Sequence, residues 1–214
     1  MPILSRLIRF FAVIAGGVLA AAIAMSFPAH ALVLGNPAHS FKGGMYAAGL
    51  GLGDNRIEIF GNIGLGTSGV LDLFLASEDV SALVERDEIG AGYRHNLGKA
   101  ITVAGMKMQL GVLAQYRQGT ISSAGQDLDF MSIDLGVGGY ISPLEGLNVY
   151  AAAVYERIEL EQDVQGIGVV SVTDTNLGMS LGVDFMIGER FMAGAEIHPA
   201  LEQREFILYG LMRF

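Results

Sequence analysis

Ten segments with oily side chains at every second position, an apolar leader and a terminal aromatic strand predict an all-β chain. The expected architecture is a closed antiparallel transmembrane β-barrel of ten strands, with eight as the alternative count, preceded by a cleaved signal peptide.

Composition sets the frame. The chain has 214 residues, of which 51% are hydrophobic and only 16% charged, and its mean hydropathy is +0.46. That is too apolar for intrinsic disorder. The absence of cysteine removes disulfide frameworks and Cys-based metal sites. With 13 Lys and Arg against 22 Asp and Glu, the net charge of −9 opposes binding to nucleic acid.

Arg6 and Arg9 form a basic start, FFAVIAGGVLAAAIAMSF (10–27) is an apolar core, and Ala29-His30-Ala31 is a small-x-small site. Together they have the layout of a secretory signal peptide cleaved after Ala31. A retained membrane anchor is the competing reading, because the apolar run nearly reaches bilayer length. Residues 1–31 are therefore expected to be the leader, 32–42 a periplasmic lead-in, and 43–214 the barrel.

The strands follow from period two. Tyr46, Ala48, Leu50 and Leu52 share one face, and Ile57, Ile59, Ile63 and Leu65 another, opposite Glu58, Phe60, Asn62 and Gly64. The third and fourth strands are the weakest: Leu71, Leu73 and Leu75 are clear, but the Glu85–Glu88 charge run is not. From Thr102 to Arg117, Met106, Met108, Leu110, Val112, Ala114 and Tyr116 alternate with Lys107, Gln109, Gly111, Gln115 and Arg117. A helix would mix these two sets on every face. Met131 to Ile141, Leu147 to Tyr155, Leu177 to Ile187 and Phe191 to Ile197 repeat the pattern, and residues 204–214 close it. The expected strands are 43–53, 56–65, 69–77, 84–95, 101–117, 129–142, 146–160, 173–187, 190–199 and 204–214.

Gly, Pro and Asn chemistry predicts tight turns at 95–99, 142–146 and 188–189. Longer polar loops are expected at 118–128 and 161–172, at the other end of the barrel. The Asp54-Asn55 connection is short where a long loop would be due.

A soluble sandwich also has period-two strands, but it puts charge outside and bulk inside. Here the second face is Gly-, Ala-, Ser- and Asn-rich with isolated charges, which suits a narrow wet interior, while the oily face suits lipid. Tyr93, Phe185, Phe191 and Phe214 near the short turns, and Tyr116 and Tyr155 near the long loops, fit aromatic belts at the two membrane interfaces. GLGLG (49–53) reads as glycine making room inside the barrel rather than as a nucleotide loop.

The last ten residues, EFILYGLMRF (205–214), resemble the closing strand of bacterial outer-membrane β-barrel proteins, and the chain as a whole is similar to the small porin-like members of that family in a ten-strand form. The resemblance implies residence in the outer membrane among its lipids. It also implies that Phe214 is an assembly signal read by the barrel-assembly machinery. It carries no transport substrate with it, because one barrel shape serves unrelated tasks.

The expected lumen set is Arg86, Glu88, Arg94, Lys107, Gln109, Gln115, Arg117, Asp134, Glu156, Asp184, Glu196 and His198. Reflection about the 95–100 turn puts Glu88 level with Lys107 as an interior ion pair. The histidines at 30, 39, 95 and 198 have no metal-pair spacing, and no H-E-x-x-H, G-x-S-x-G or P-loop is present. His198 near Glu196 and Glu202 is the one acid–base candidate.

The reading is thus a structural or narrow porin-like barrel with no catalysis, cofactor or metal. If small ions or solutes pass, Asp134, Glu156, Asp184 and Glu196 favour cations. The alternatives are a surface-interaction barrel acting through its loops, or a lipid-modifying enzyme centred on His198.

Overall fold

The computed structural model describes residues 43–81, 83–103, 106–123, 126–164, 168–199 and 204–214. The expected signal peptide and lead-in lie outside them. Ten strands follow one another: β1 (Tyr46–Gly53), β2 (Arg56–Leu65), β3 (Gly69–Ser81), β4 (Val84–Val103), β5 (Met106–Ser123), β6 (Gln126–Leu144), β7 (Leu147–Val164), β8 (Gly168–Ile187), β9 (Phe191–Pro199) and β10 (Arg204–Arg213). Each pairs antiparallel with its neighbour in sequence, and β10 closes on β1 through Gly49↔Leu211 and its flanking pairs. At the seam the Phe214 amide donates to the Tyr46 carbonyl at 2.8 Å.

Side-chain direction follows the predicted alternation. Ile57, Ile59, Leu75, Ile89, Ile133 and Leu135 stand exposed outside, while Arg56, Glu58, Asp72, Arg117 and Asp134 are buried inside. This inverts a water-soluble protein, in which burial of apolar surface drives folding. It matches a wall bathed in lipid with every backbone group paired. The fold is therefore the expected closed transmembrane barrel of ten antiparallel strands. The six belt aromatics Tyr93, Tyr116, Tyr155, Phe185, Phe191 and Phe214 are all exposed on it.

Three expectations about connections are corrected. The 95–99 segment is not a hairpin turn, because β4 continues to Val103 and pairs Thr102 with Lys107. The Asn-Leu-Gly chemistry serves a bulge: register shifts between Asn96 and Ala100, Gly98 takes φ +64°, and its amide donates to Asn96 Oδ1 at 2.8 Å. His95 accordingly sits in strand opposite Val112, with its Nδ1 3.0 Å from the Tyr93 hydroxyl. Nor are 118–128 and 161–172 long loops. β5 and β6 stay paired up to Ser123↔Gln126, and β7 and β8 up to Val164↔Gly168. Polar residues above the lipid need no apolar pattern to remain in strand, because the ladder alone satisfies the backbone.

The strands are unequal as a result. β4 to β8 run 18–20 residues, well beyond the ~9–11 that span the hydrocarbon. β1, β2, β9 and β10 run 8–10. One side of the barrel wall therefore stands taller than the other at the end remote from Tyr46 and Phe214, the termini of the described barrel.

Candidate functional site: the lumen

The interior is built in layers by inward positions that alternate with the lipid-facing ones. Farthest from the termini, Ile121, Leu128, Phe130, Ile158 and Leu160 form an apolar plug. Beneath it runs a belt of ion pairs from β2 to β7. Glu88 is its hub, receiving Arg56, Arg86 at 2.9 Å and Arg117 at 3.5 Å. Arg56 also lies 3.4 Å from both Glu58 and Glu78. Arg117 forks onto Asp134, with Nε to Oδ2 at 2.9 Å and Nη2 to Oδ1 at 3.1 Å. Its Nη2 also donates to Ser132 at 3.2 Å and to Glu156 on the strand beyond. The Arg86 guanidinium lies 4.4 Å from the centre of the Phe130 ring, tying belt to plug. Such charges leave water only when paired and hydrogen-bonded. Arg117, at 0% exposed, is paired with carboxylates on β4, β6 and β7.

Toward the termini the wall pairs again. Arg94 grips Asp72 through two bonds of 2.8 and 2.7 Å, and Asn62 donates to the same carboxylate at 2.5 Å. Across the lumen Asn148 donates to Asp184 at 2.5 Å. A third group joins β7, β9 and β10. The Tyr150 hydroxyl donates to Glu196 at 2.6 Å and lies 3.2 Å from the Tyr209 hydroxyl, while His198 Nε2 is 2.9 Å from Glu196 Oε1.

Four inward aromatics each lie over a glycine directly across the ladder: Phe60 over Gly49, Phe74 over Gly90, Tyr150 over Gly182 and Tyr209 over Gly194. A methyl group on Gly90 would fall 2.0 Å from Phe74, and one on Gly182 2.2 Å from Tyr150. GLGLG thus holds a ring-receiving glycine, as its reading as strand requires. With Ile207, Leu211, Met192, Val70 and Ala47, three of these rings fill the termini-side interior.

Of the twelve expected lumen residues, Arg86, Glu88, Arg94, Gln115, Arg117, Asp134, Glu156, Asp184, Glu196 and His198 are buried inside, and Gln109 is half-buried. Lys107 is not among them. It is exposed beside the β4–β5 hairpin tip, opposite Thr102, whereas Glu88 lies opposite Gly119. The expected Glu88–Lys107 pair therefore does not form: the reflection used the bulge as its turn, and the partners of Glu88 are arginines.

Sequence reasoning passed over Arg56, Glu58, Asp72 and Glu78, although Ile57 and Ile59 flank Glu58, and Leu71 and Leu73 flank Asp72, at the same parity. It also passed over Ser180, buried on β8. Ser180 lies one residue beyond Leu181↔Ile197, the last β8–β9 pair, as His198 does on β9. Serine, histidine and carboxylate at one level could move a proton, yet Glu196 is already engaged by Tyr150 and the cluster is buried in the wall. Among the described residues no group of three His, Cys, Asp or Glu could hold a metal ion.

No family model matches the chain, and no curated protein matches it in sequence. Among solved structures it is similar to Ail, the attachment invasion locus protein of Yersinia pestis, at 16% identity, covering 81% of this chain and 100% of that one (TM-score 0.40). It is also similar to the translocator domain of the autotransporter NalP from Neisseria meningitidis, at 13% identity, covering 82% and 89% (TM-score 0.44). Neisserial surface protein A matches at 15% identity, covering 79% and 93% (TM-score 0.37).

Proposed function

We propose that this chain is a structural barrel of the bacterial outer membrane whose lumen is closed to solutes and which performs no catalysis. The observation that carries the reading is the belt through Arg117 and Glu88, which links β2 to β7 inside the lumen with every charge buried. An aqueous pore would leave such groups hydrated. Ten strands enclose little more room than the eight whose interior side chains just fill, and the apolar plug and aromatic–glycine pairs occupy it. The useful surface of such a barrel is its outside, where the taller wall made by β4–β8 stands clear of the lipid.

The C-terminal strand carries the assembly role in this reading. Phe214 is 69% exposed at the β1–β10 seam, where another protein can reach its ring before or during closure. Single-channel recording in planar bilayers tests the closed lumen: no steady conductance is expected from the intact protein, and a stable open level would overturn the reading. Deletion of Phe214 is expected to slow insertion by purified assembly machinery without changing the melting point of barrels folded in detergent.

A further inference from the structure

β7 pairs with β8 along nearly its whole length, from Gly168 to Phe185, without a break in register. On the other side, β9 pairs with β8 only from Leu181 to Ile187. Residues 168–178 therefore have no partner strand on that side among the described residues. Pro199, the last residue of β9, pairs with Arg204 of β10, so only four residues connect them. The described chain begins at the opposite end of the barrel, where the Gly44 amide donates to the Gly64 carbonyl at 3.1 Å.

The polarity of this edge can be read from the ladder. Met186 donates its amide to Gly146 at the foot of β7 at 2.8 Å, so even-numbered residues of β8 turn their backbone toward β7. Odd-numbered residues turn theirs to the open side: Val169, Ser171, Thr173, Thr175 and Leu177. The Thr175 amide is met by the Asp174 carboxylate at 2.8 Å, a side chain standing where a strand is missing.

Exposed edges are ordinarily blunted by lysine, proline or bulges. Apart from Asp174, GVVSVTDTNLG (168–178) has no charge and no proline, and it is rich in Val and Thr, which favour strand. Val169 and Leu177 are 67% and 79% exposed. The surroundings are acidic: residues 157–178 hold Glu159, Glu161, Asp163 and Asp174 against Arg157 alone.

We propose that the open edge of β8 from Val169 to Leu177 docks an extended, basic peptide segment of another protein by strand addition. Backbone pairing supplies the attachment, and the outward acids of β7, Glu159, Glu161 and Asp163, select lysine or arginine at alternate positions. A second copy of this chain suits the edge less well. Two copies in one membrane point the same way, so their edges meet in parallel and bring acidic surfaces together. The proposal does not depend on whether the lumen conducts.

The test uses the full chain in lipid nanodiscs and a synthetic peptide of about 12 residues alternating Lys with Val or Thr, matched in length to the edge. Saturable binding is expected, together with slowed amide exchange at Ser171, Thr173 and Leu177. Binding should weaken about tenfold or more when Glu replaces Lys, when two prolines interrupt the peptide, or when its alternate amides are N-methylated. Thr173→Pro removes an edge amide that β7 does not use and should abolish binding. If that variant does not fold, the N-methylated peptide makes the same comparison on the native protein. Undiminished binding of the proline or N-methylated peptide, binding without amide protection, no binding, or protection caused by dimerisation alone would each overturn the proposal.

Discussion

The Tyr150 ring lies over Gly182, its partner across the β7–β8 ladder, so closely that a methyl group there would sit 2.2 Å from Cζ. The same ring carries the hydroxyl bonded to Glu196, so one close approach fixes both the packing and the polar contacts of β7, β8 and β9.

Gly182→Val is expected to destabilise the barrel by about 1–3 kcal/mol or more, because the ring must leave its rotamer and its Glu196 bond. Tyr150→Ala should cost about 3–5 kcal/mol through the cavity it leaves. Urea unfolding in lipid vesicles measures both. In the double variant the two costs should be less than additive, since the clash needs the ring.

Arg117→Ala leaves Asp134 and Glu156 buried without their principal cation, a loss of about 3–5 kcal/mol. The variant should also show conductance that the parent lacks. Among the described residues, eight buried carboxylates face four buried arginines, so the opened path should prefer cations. Reversal potentials in a salt gradient give the sign.

Lys107→Ala should change stability by no more than about 0.5 kcal/mol, as expected of an exposed residue near a hairpin tip. Glu88→Ala should cost several times more, because it strands Arg56, Arg86 and part of the Arg117 contact. Equal effects would restore the rejected Glu88–Lys107 pairing.

On the outer wall, Leu135→Arg should cost about 2–4 kcal/mol if it lies near the bilayer midplane. Thr175→Arg, on the extended part of β8, should cost almost nothing. The contrast marks where lipid ends, and vesicle unfolding reads it.

His198→Ala and Ser180→Ala should leave lipid unchanged in the same way as the parent: no hydrolysis product by mass spectrometry from any of the three. Product from the parent alone would establish the enzyme reading.

Much of this was legible in the sequence because lipid imposes its own alternation. Ile57 and Ile59 around Glu58 announce a wall with two unlike faces, and the same parity sends Arg117 and Asp134 inward. What failed lies where that pressure is absent. Residues 118–123, 126–128, 161–164 and 168–172 are strand without a regular oily period, so they read as loops. Asn96 and Gly98 have turn chemistry, but a bulge uses the same chemistry, and only pairing across to Gln109 and Gly111 tells the two apart. The lumen contacts needed that register as well: parity turns Glu88 inward, yet it takes the ladder to set it opposite Gly119 rather than Lys107.

The inside-out wall can be measured residue by residue. The chain has no cysteine, so single cysteines at 112 to 117 accept a spin label without background. In lipid vesicles, collision with oxygen, which concentrates in the bilayer, should be high at 112, 114 and 116 and low at 113, 115 and 117. Equal collision at both parities, or the high values at 113, 115 and 117, would contradict a barrel with lipid outside and packed charge within.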